Sequence, residues 1–408
     1  MILTKRSFLF LFFSIAFTLD SVVNYFINIP LFVITLIVFV LGICVPGFFS
    51  KRNYLSFILV LLVFSTSFVF NIFRMGFYKE SLSDVLFILS FFGAFFLYSD
   101  QQKLSGSKDF YIRIFLIACL ILFLATYLGF DQNIWGNTMG IKTEDIEYNR
   151  SYRQGFFRKA HIASYFFTFF ILYFLNKFKN KNVSSFKYVI TFIPLATMVL
   201  LTGSRTSIVV VFIAIFIYYF KLKFLKYLLP FTGLCLLSVV YIDNLLVFFD
   251  NTIFYQYLSI IKTMGSNFER LSRVIIWSSW WSEIKTFTIT DFLFGRGFNA
   301  SLSANLKNTS SAIWFHNDFL SIIYSYGILP LLLYISLFVM IYKKHKNAIK
   351  NNVYLFLMFT SFCLSAFFNG FYYYYTIIIL YLFYAMINEY KSNHKEENYD
   401  AVYLRDIQ

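Results

Sequence analysis

Charge is scarce in this 408-residue chain: Asp, Glu, Lys and Arg together make up 13% of it, against about 25% in ordinary soluble proteins. Combined with 59% hydrophobic residues and a mean hydropathy of +0.68, the shortage excludes a water-soluble globular protein and points to lipid as the solvent. Cysteine is nearly missing. Cys44, Cys119, Cys235 and Cys363 each sit inside an apolar run with no C-x-x-C spacing, which excludes a disulfide framework or a zinc site and leaves them as small buried hydrophobes. Basic residues outnumber acidic ones by 35 to 20, yet they are not gathered on one tail or face as nucleic-acid binding requires, so nucleic acid is not an expected partner. No internal repeat is visible, direct or inverted, which counts against a transporter built on repeat symmetry. No small-residue cleavage site follows the Lys5-Arg6 start, and the first apolar run reads as a retained membrane helix.

What the chain does have is Phe (58) and Tyr (31) in long apolar runs. A membrane-spanning helix needs about 20 predominantly apolar residues. Runs of roughly that length are Ser7–Phe26, Pro30–Phe49, Tyr54–Ile72, Leu82–Tyr98, Phe110–Leu128, His161–Leu175, Tyr188–Leu201, Ser207–Phe220, Tyr227–Ile242, Asp318–Tyr342, Val353–Phe368 and Tyr372–Ile387. The expected fold is therefore all-α, a polytopic membrane protein of about twelve transmembrane helices forming one transmembrane domain over residues 1–408. If each run crosses once, Lys5/Arg6, Lys51/Arg52, Lys103/Lys108, Lys177/Lys179/Lys181, Lys221/Lys223/Lys226 and Lys343/Lys344/Lys346/Lys350 all fall on one side. By the positive-inside rule that side is the cytoplasm, and both termini lie there.

Two substantial segments then face outward, Gly129–Ala160 and Asp243–Asn317, and chemistry is expected on them. The longer one contains a helical-looking stretch, Phe268–Ile284, and Trp277, Trp280, Trp281 and Trp314 suit the headgroup level. Arg150, Arg153, Arg158, Lys159, Arg205, Arg270, Arg273, Arg296 and Lys307 break the positive-inside trend. Solvated loop charge, with long side chains snorkelling to the headgroups, explains any one of them. Arg205 differs because it lies in the short turn Leu201-Thr202-Gly203-Ser204-Arg205-Thr206-Ser207. Its fork of donors matches phosphate oxygens, with Thr202, Ser204 and Thr206 as neighbouring hydroxyls; a salt bridge to Asp243 or Glu269 is the structural alternative.

Histidine is rare, at His161, His316, His345 and His394. His316 stands in Trp314-Phe315-His316-Asn317-Asp318-Phe319-Leu320, where a neutral imidazole is suited to take a proton from a hydroxyl. The other reading makes Asn317 or Asp318 an N-cap with His316 packed beside it. Gly295-Arg296-Gly297-Phe298-Asn299-Ala300 fits a loose dinucleotide fingerprint, but it lies outside any βαβ unit, and its glycines more plainly serve tight turning or close backbone approach.

The order of these features resembles the O-antigen polymerase and ligase superfamily of bacterial envelope glycosyltransferases. The pieces that carry the resemblance are Arg153-Gln154-Gly155-Phe156-Phe157 leading to His161-Ile162-Ala163, the Gly203-Ser204-Arg205 turn, Arg270-Leu271-Ser272-Arg273 before Trp277, Phe294-Gly295-Arg296-Gly297, and His316-Asn317-Asp318-Phe319-Leu320 running to Tyr326-Gly327-Ile328-Leu329. The last four span roughly residues 200 to 340. The resemblance implies a twelve-helix enzyme at the outer, periplasmic face of the bacterial inner membrane, using an undecaprenyl-diphosphate-linked oligosaccharide without metal or other cofactor. It further implies that Arg205 and one of Arg270 or Arg273 hold the diphosphate, that His316 activates the acceptor hydroxyl, and that Arg153, Arg296, Asn317 and His161 contact substrate. Asn often stands in the family pattern at the position of His161. Membrane lipid and a polysaccharide chain-length regulator are the implied partners.

Direct displacement at the anomeric carbon fits the residues, since no two-carboxylate glycosidase pair is evident and paired arginines stabilise a leaving diphosphate by preorganised charge. A polymerase is expected, with a ligase that moves the finished glycan to lipid A core or protein as the alternative. A flippase is the third reading, disfavoured because most apolar runs are nearly bare of charge. Cysteine labelling from outside checks the topology: positions near Lys307 are expected to react and positions near Lys346 to stay protected.

Overall fold

A computed structural model describes residues 31–43, 50–99, 160–180, 185–202, 204–220, 272–309, 315–368, 370–372 and 378–391, with isolated positions between 116 and 255. Among the described residues all regular structure is helical. In chain order the helices are α1 (Leu31–Ile43), α2 (Lys51–Met75), α3 (Lys79–Ser99), α4 (Ala160–Asn180), α5 (Ser185–Leu201), α6 (Arg205–Phe220), α7 (Ser272–Ile284), α8 (Ile289–Phe294), α9 (Phe298–Thr309), α10 (Asp318–Tyr326), α11 (Ile328–Asn351), α12 (Val353–Phe368) and α13 (378–391). The expected all-α membrane class holds. Lys51–Met75, Ser81–Ser99 and Ile328–Asn351 are long and apolar enough to cross a bilayer, while the runs expected at Ser7–Phe26 and Tyr227–Ile242 lie outside the described residues, as does most of Phe110–Leu128.

The chain divides into two compact units. One comprises residues 1–24, 28–116 and 279–408; the other comprises residues 25–27 and 117–278. In the second unit, α4 is the buried member: Phe167, Phe169, Phe170, Ile171 and Leu172 are all fully enclosed. α5 and α6 pack on it and send Ile193, Leu200, Val209 and Phe212 outward. Large exposed apolar side chains on helices of this hydropathy are what a lipid-facing surface demands.

In the first unit α3 takes the central place, with Ile88, Phe91, Ala94 and Leu97 fully buried. α2 covers it with one face, burying Phe57, Val60 and Phe64 while Leu55, Leu59, Leu62 and Phe73 point away. Ser50 caps α2 through Asn53 N (3.4 Å), and the Asn53 amide reaches across to Phe96 O (3.2 Å). Such polar ties matter more than usual because apolar side chains gain little from leaving lipid.

α3 also buries an acid, Asp84, which the apolar pattern conceals. Its two oxygens accept from Tyr326 OH (2.6 Å) and Tyr372 OH (3.0 Å). Asp318, equally buried, accepts from Tyr334 OH, Phe371 N (2.6 Å) and Tyr372 N (3.3 Å). Tyr372 thus touches both carboxyl groups and ties α3 to the start of α10.

The run expected as one span, Asp318–Tyr342, is instead two helices, α10 and α11, broken at Gly327. Gly327 has φ 92° and ψ −171°, a conformation essentially confined to glycine. A Cβ added there would lie 2.1 Å from Leu293 O. The end of α8 does the same in reverse: Gly295 (φ 76°) would place a Cβ 2.4 Å from Ser325 C and Tyr326 N. The paired backbones are then joined by Arg296 N to Tyr324 O (2.7 Å) and Gly297 N to Ser325 O (3.1 Å). Counting apolar residues cannot reveal this break, since Ile328 onward is as apolar as what precedes it.

Gly327→Ala is expected to lose at least about 3 kcal/mol, combining backbone strain with the clash against Leu293. Gly76 shares the positive φ (88°) but has open space around its Cβ direction, so Gly76→Ala should cost only the strain. Melting temperatures of the two variants in detergent check this; equal losses would refute the packing argument.

Candidate functional site: a cleft beside an arginine–aspartate cluster

Within the first unit lies a cleft of about 370 Å³. Its walls come from the end of α2 and the turn after it, from Glu283 on α7, from the Arg296-Gly297 step, from α9, and from Tyr324 and Tyr326 on α10. The sequence places four glycine or cap signals around it. Thr288 and Asp291 form a capping box, in which Asp291 N donates to Thr288 Oγ1 (3.2 Å) and Thr288 N to Asp291 Oδ2 (2.9 Å), starting α8. Gly295 then stops α8 after a single turn and a half, and Gly297 leads directly into α9.

Beside the cleft, Asp291 is fully buried between two arginines. Arg74, from the end of α2, pairs with Oδ1, and Arg296 Nη2 reaches Oδ2 at 3.1 Å. Burial acts to raise the Asp291 carboxyl, but the Thr288 backbone N–H, the two guanidinium groups and the Thr288 side chain outweigh it and hold it well below the usual carboxylate range. The Asp291 charge in turn raises Arg296, against a lowering by burial.

Arg296 itself is engaged on every side. Nη1 donates to Thr286 Oγ1 (2.9 Å) and approaches Glu283 Oε2 (3.5 Å), Nη2 also donates to Thr286 O (2.6 Å), and the guanidinium lies 4.6 Å from the Phe287 ring centroid. Its geometry is that of a fastener holding residues 286–296 together. Glu283 Oε2 also takes a long hydrogen bond from Tyr324 OH (3.5 Å). Lys307, in contrast, is exposed on the wall of the cleft.

His316 adopts φ 53°, the left-handed region, which costs a non-glycine residue of order 1 kcal/mol or more. Phe315 before it is fully buried against Tyr324, with ring centroids 5.1 Å apart. Asn317 after it is the N-cap of α10, its Oδ1 accepting from Leu320 N (3.1 Å). The imidazole, half-buried, is therefore carried on a strained step between an aromatic anchor and a cap. Asn317 does the capping that was one of its two expected readings.

In the second unit the turn around Arg205 is as tight as expected. α5 ends at Leu201 and α6 begins at Arg205 itself. Thr202 Oγ1 donates to Val199 O (2.7 Å) and Ser204 Oγ to Ser207 Oγ (3.3 Å), and Thr202, Ser204 and Ser207 are all buried. Of the hydroxyls expected beside Arg205, Thr206 alone is partly open. His161 and Arg273 are placed by backbone only, each one residue into its helix, α4 and α7. Arg153 and Arg270 lie outside the described residues.

Sequence reasoning missed Arg74, Asp291 and Asn71. Arg74 was legible: it sits at the opposite end of an apolar run from Lys51 and Arg52, and so belongs with the other basic residues that break the charge bias. Asp291 is signalled by Thr-x-x-Asp ahead of Phe-Leu-Phe. Among the described residues no three His, Cys, Asp or Glu side chains gather as metal ligands.

Residues 190–335 match the family model described as O-antigen ligase. This stretch contains Arg205, Arg270, Arg273, Arg296 and His316 together with the cleft's α9 wall, and it supports the resemblance to the O-antigen polymerase and ligase superfamily. No curated protein matches the chain.

Asp291→Asn keeps the size and removes the charge, and it is expected to cost about 2 kcal/mol, as for hydrogen bonds to charged groups. The folded carboxyl sits below its unfolded value of about 3.9, so the folded state binds fewer protons, and the stabilisation is complete above that pH and fades as acid is added below it. Melting temperature followed from pH 6 down to about pH 3 should therefore fall more steeply for the wild type than for Asp291→Asn; parallel curves would exclude the cluster as the source.

Proposed function

We propose that the protein is a surface-polysaccharide polymerase of the O-antigen type, which transfers a growing glycan from undecaprenyl diphosphate to a hydroxyl of another lipid-linked repeat unit. The observation that carries the reading is the family match over residues 190–335, because it covers Arg205, Arg270, Arg273 and His316, the residues to which the chemistry is assigned. In this reading the acceptor oxygen attacks the anomeric carbon, the bond from that carbon to the diphosphate breaks, and the acceptor proton passes to His316. Polyprenyl diphosphate departs without needing an acid, its charge held by Arg205 and one of Arg270 or Arg273. Backbone strain of the kind seen at His316 is concentrated at functional sites, which favours His316 as the base over His161. Arg296, with its terminal nitrogens already directed to protein acceptors, supports the loop rather than the phosphate.

The same donor chemistry serves a ligase that delivers the glycan to lipid A core or protein, and the acceptor alone separates the two. The proposed setting is the outer face of the bacterial inner membrane, where the lipid-linked units are presented, with a chain-length regulator as partner. Lipopolysaccharide profiling of a deletion strain decides between the two: core bearing a single repeat unit is expected, whereas core bearing none indicates a ligase. In the complemented strain, His316→Ala should leave the single-unit band and no ladder, reflecting loss of about a hundredfold or more in rate. An unchanged ladder would remove His316 from the mechanism.

A further inference from the structure

Asn71 lies on α2 where that helix borders the cleft, and it is 6% exposed. Its amide faces two carbonyl oxygens, Phe294 O and Ser325 O, each at 3.0 Å. Carbonyls accept and cannot donate, so the NH2 must point at them and both of its hydrogens are used. That fixes the orientation of the other half of the group. Asn71 Oδ1 accepts no hydrogen bond from the described residues, and an enclosed acceptor without a donor is costly to maintain. It lies toward Gly297, whose Cβ direction passes 3.6 Å from Asn71 Cγ and 3.9 Å from Oδ1, and Gly297 is itself part of the cleft wall. A Cβ at 297 would stand in van der Waals contact with Asn71.

We propose that the cleft is a subsite for a sugar ring of the lipid-linked glycan, with Asn71 Oδ1 accepting a hydrogen bond from one of its hydroxyls. The inference rests on the polymerase or ligase reading for the identity of the glycan, while the cleft chemistry stands on the side chains alone. The fixed acceptor demands a donor, and hydroxyls are what a sugar offers. Charge argues against the diphosphate here: Glu283 carries its carboxylate into the same wall, and Arg296 is already saturated by Asp291, Thr286 and Glu283. Tyr78 supplies aromatic surface for the apolar face of a ring, and Asn299 and Lys307 add polar contacts. The volume of about 370 Å³ falls in the range of small-ligand pockets, about 300 to 1,000 Å³.

The test is direct binding to the purified full-length protein in lipid nanodiscs. The probe is the lipid-free oligosaccharide released by mild acid from the organism's own lipid-linked repeat units, followed by saturation-transfer NMR and calorimetry. Ser303 lines the cleft from the exposed face of α9 and takes no part in the Asn71 ties, so Ser303→Phe is expected to fill the cleft and abolish binding with an unchanged melting temperature. Asn71→Leu should weaken binding by about tenfold or more; if that variant does not fold, Ser303→Phe decides. Inorganic pyrophosphate should not compete. Binding that survives Ser303→Phe, competition by pyrophosphate, or no wild-type binding at millimolar oligosaccharide each overturns the subsite. None of these readouts requires turnover, so they fail independently of the deletion-strain profile, which tests the enzymatic reading.

Discussion

The first unit depends on two backbones touching where no side chain fits between them. Residues 293–297 and 324–327 approach so closely that glycine at 295 and 327 is required on both sides, and the contact is sealed by two backbone hydrogen bonds and by the double-ended Asn71 amide. In water such a contact would be a small part of a large hydrophobic balance. In lipid, apolar burial contributes little to helix association, and close backbone approach with interhelical hydrogen bonds takes over much of that role. Everything placed around the cleft follows from it: α8 ends there, Arg296 is turned toward Asp291, and α9 starts where Gly297 releases the chain.

The two buried aspartates extend the same logic. A carboxylate in a hydrocarbon-like interior is expensive unless each oxygen is supplied with donors. Both oxygens of Asp84 are supplied by tyrosine hydroxyls, whereas the donors to Asp318, one hydroxyl and two backbone N–H groups, all meet at Oδ2 and leave Oδ1 without a partner among the described residues. No Lys or Arg is among these donors, so these two acids are held by dipoles rather than by ion pairs, and the buried ion-pair cluster at Asp291 stands at the edge of the cleft instead. Because Tyr372 serves both aspartates, the start of α10, and with it the His316-Asn317 step, is referenced to α3 through rigid aromatic groups.

Helix class and most helix positions were legible from hydropathy, since a lipid solvent imposes length and composition on each run: Tyr54–Ile72 became Lys51–Met75, and Val353–Phe368 was found as expected. The α10–α11 break was not, because Gly327 is one glycine among apolar neighbours and its meaning lies in Leu293, distant in sequence. At the site, the arginine-rich segments and His316 stood out by scarcity against an apolar background. Asn71 and Asp84 did not, since an isolated polar residue within an apolar helix carries no local signature of its partner. Arg296 drew attention by its charge, while its surroundings give it a holding role.

A division of labour emerges from the charges. Asp291 draws Arg74 and Arg296 together beside the cleft, and the terminal nitrogens of Arg296 are turned to protein acceptors, while the cleft wall itself carries a neutral acceptor, the Glu283 carboxylate and the exposed Lys307. Under the proposed polymerase reading the diphosphate and the glycan must be kept apart, because a cleft that gripped phosphate strongly would hold the donor in the wrong place. In that reading, the internal pairing of Arg296 leaves diphosphate binding to the proposed arginines, Arg205 and one of Arg270 or Arg273. The physical basis is that a paired guanidinium has spent the directional donors on which phosphate recognition depends.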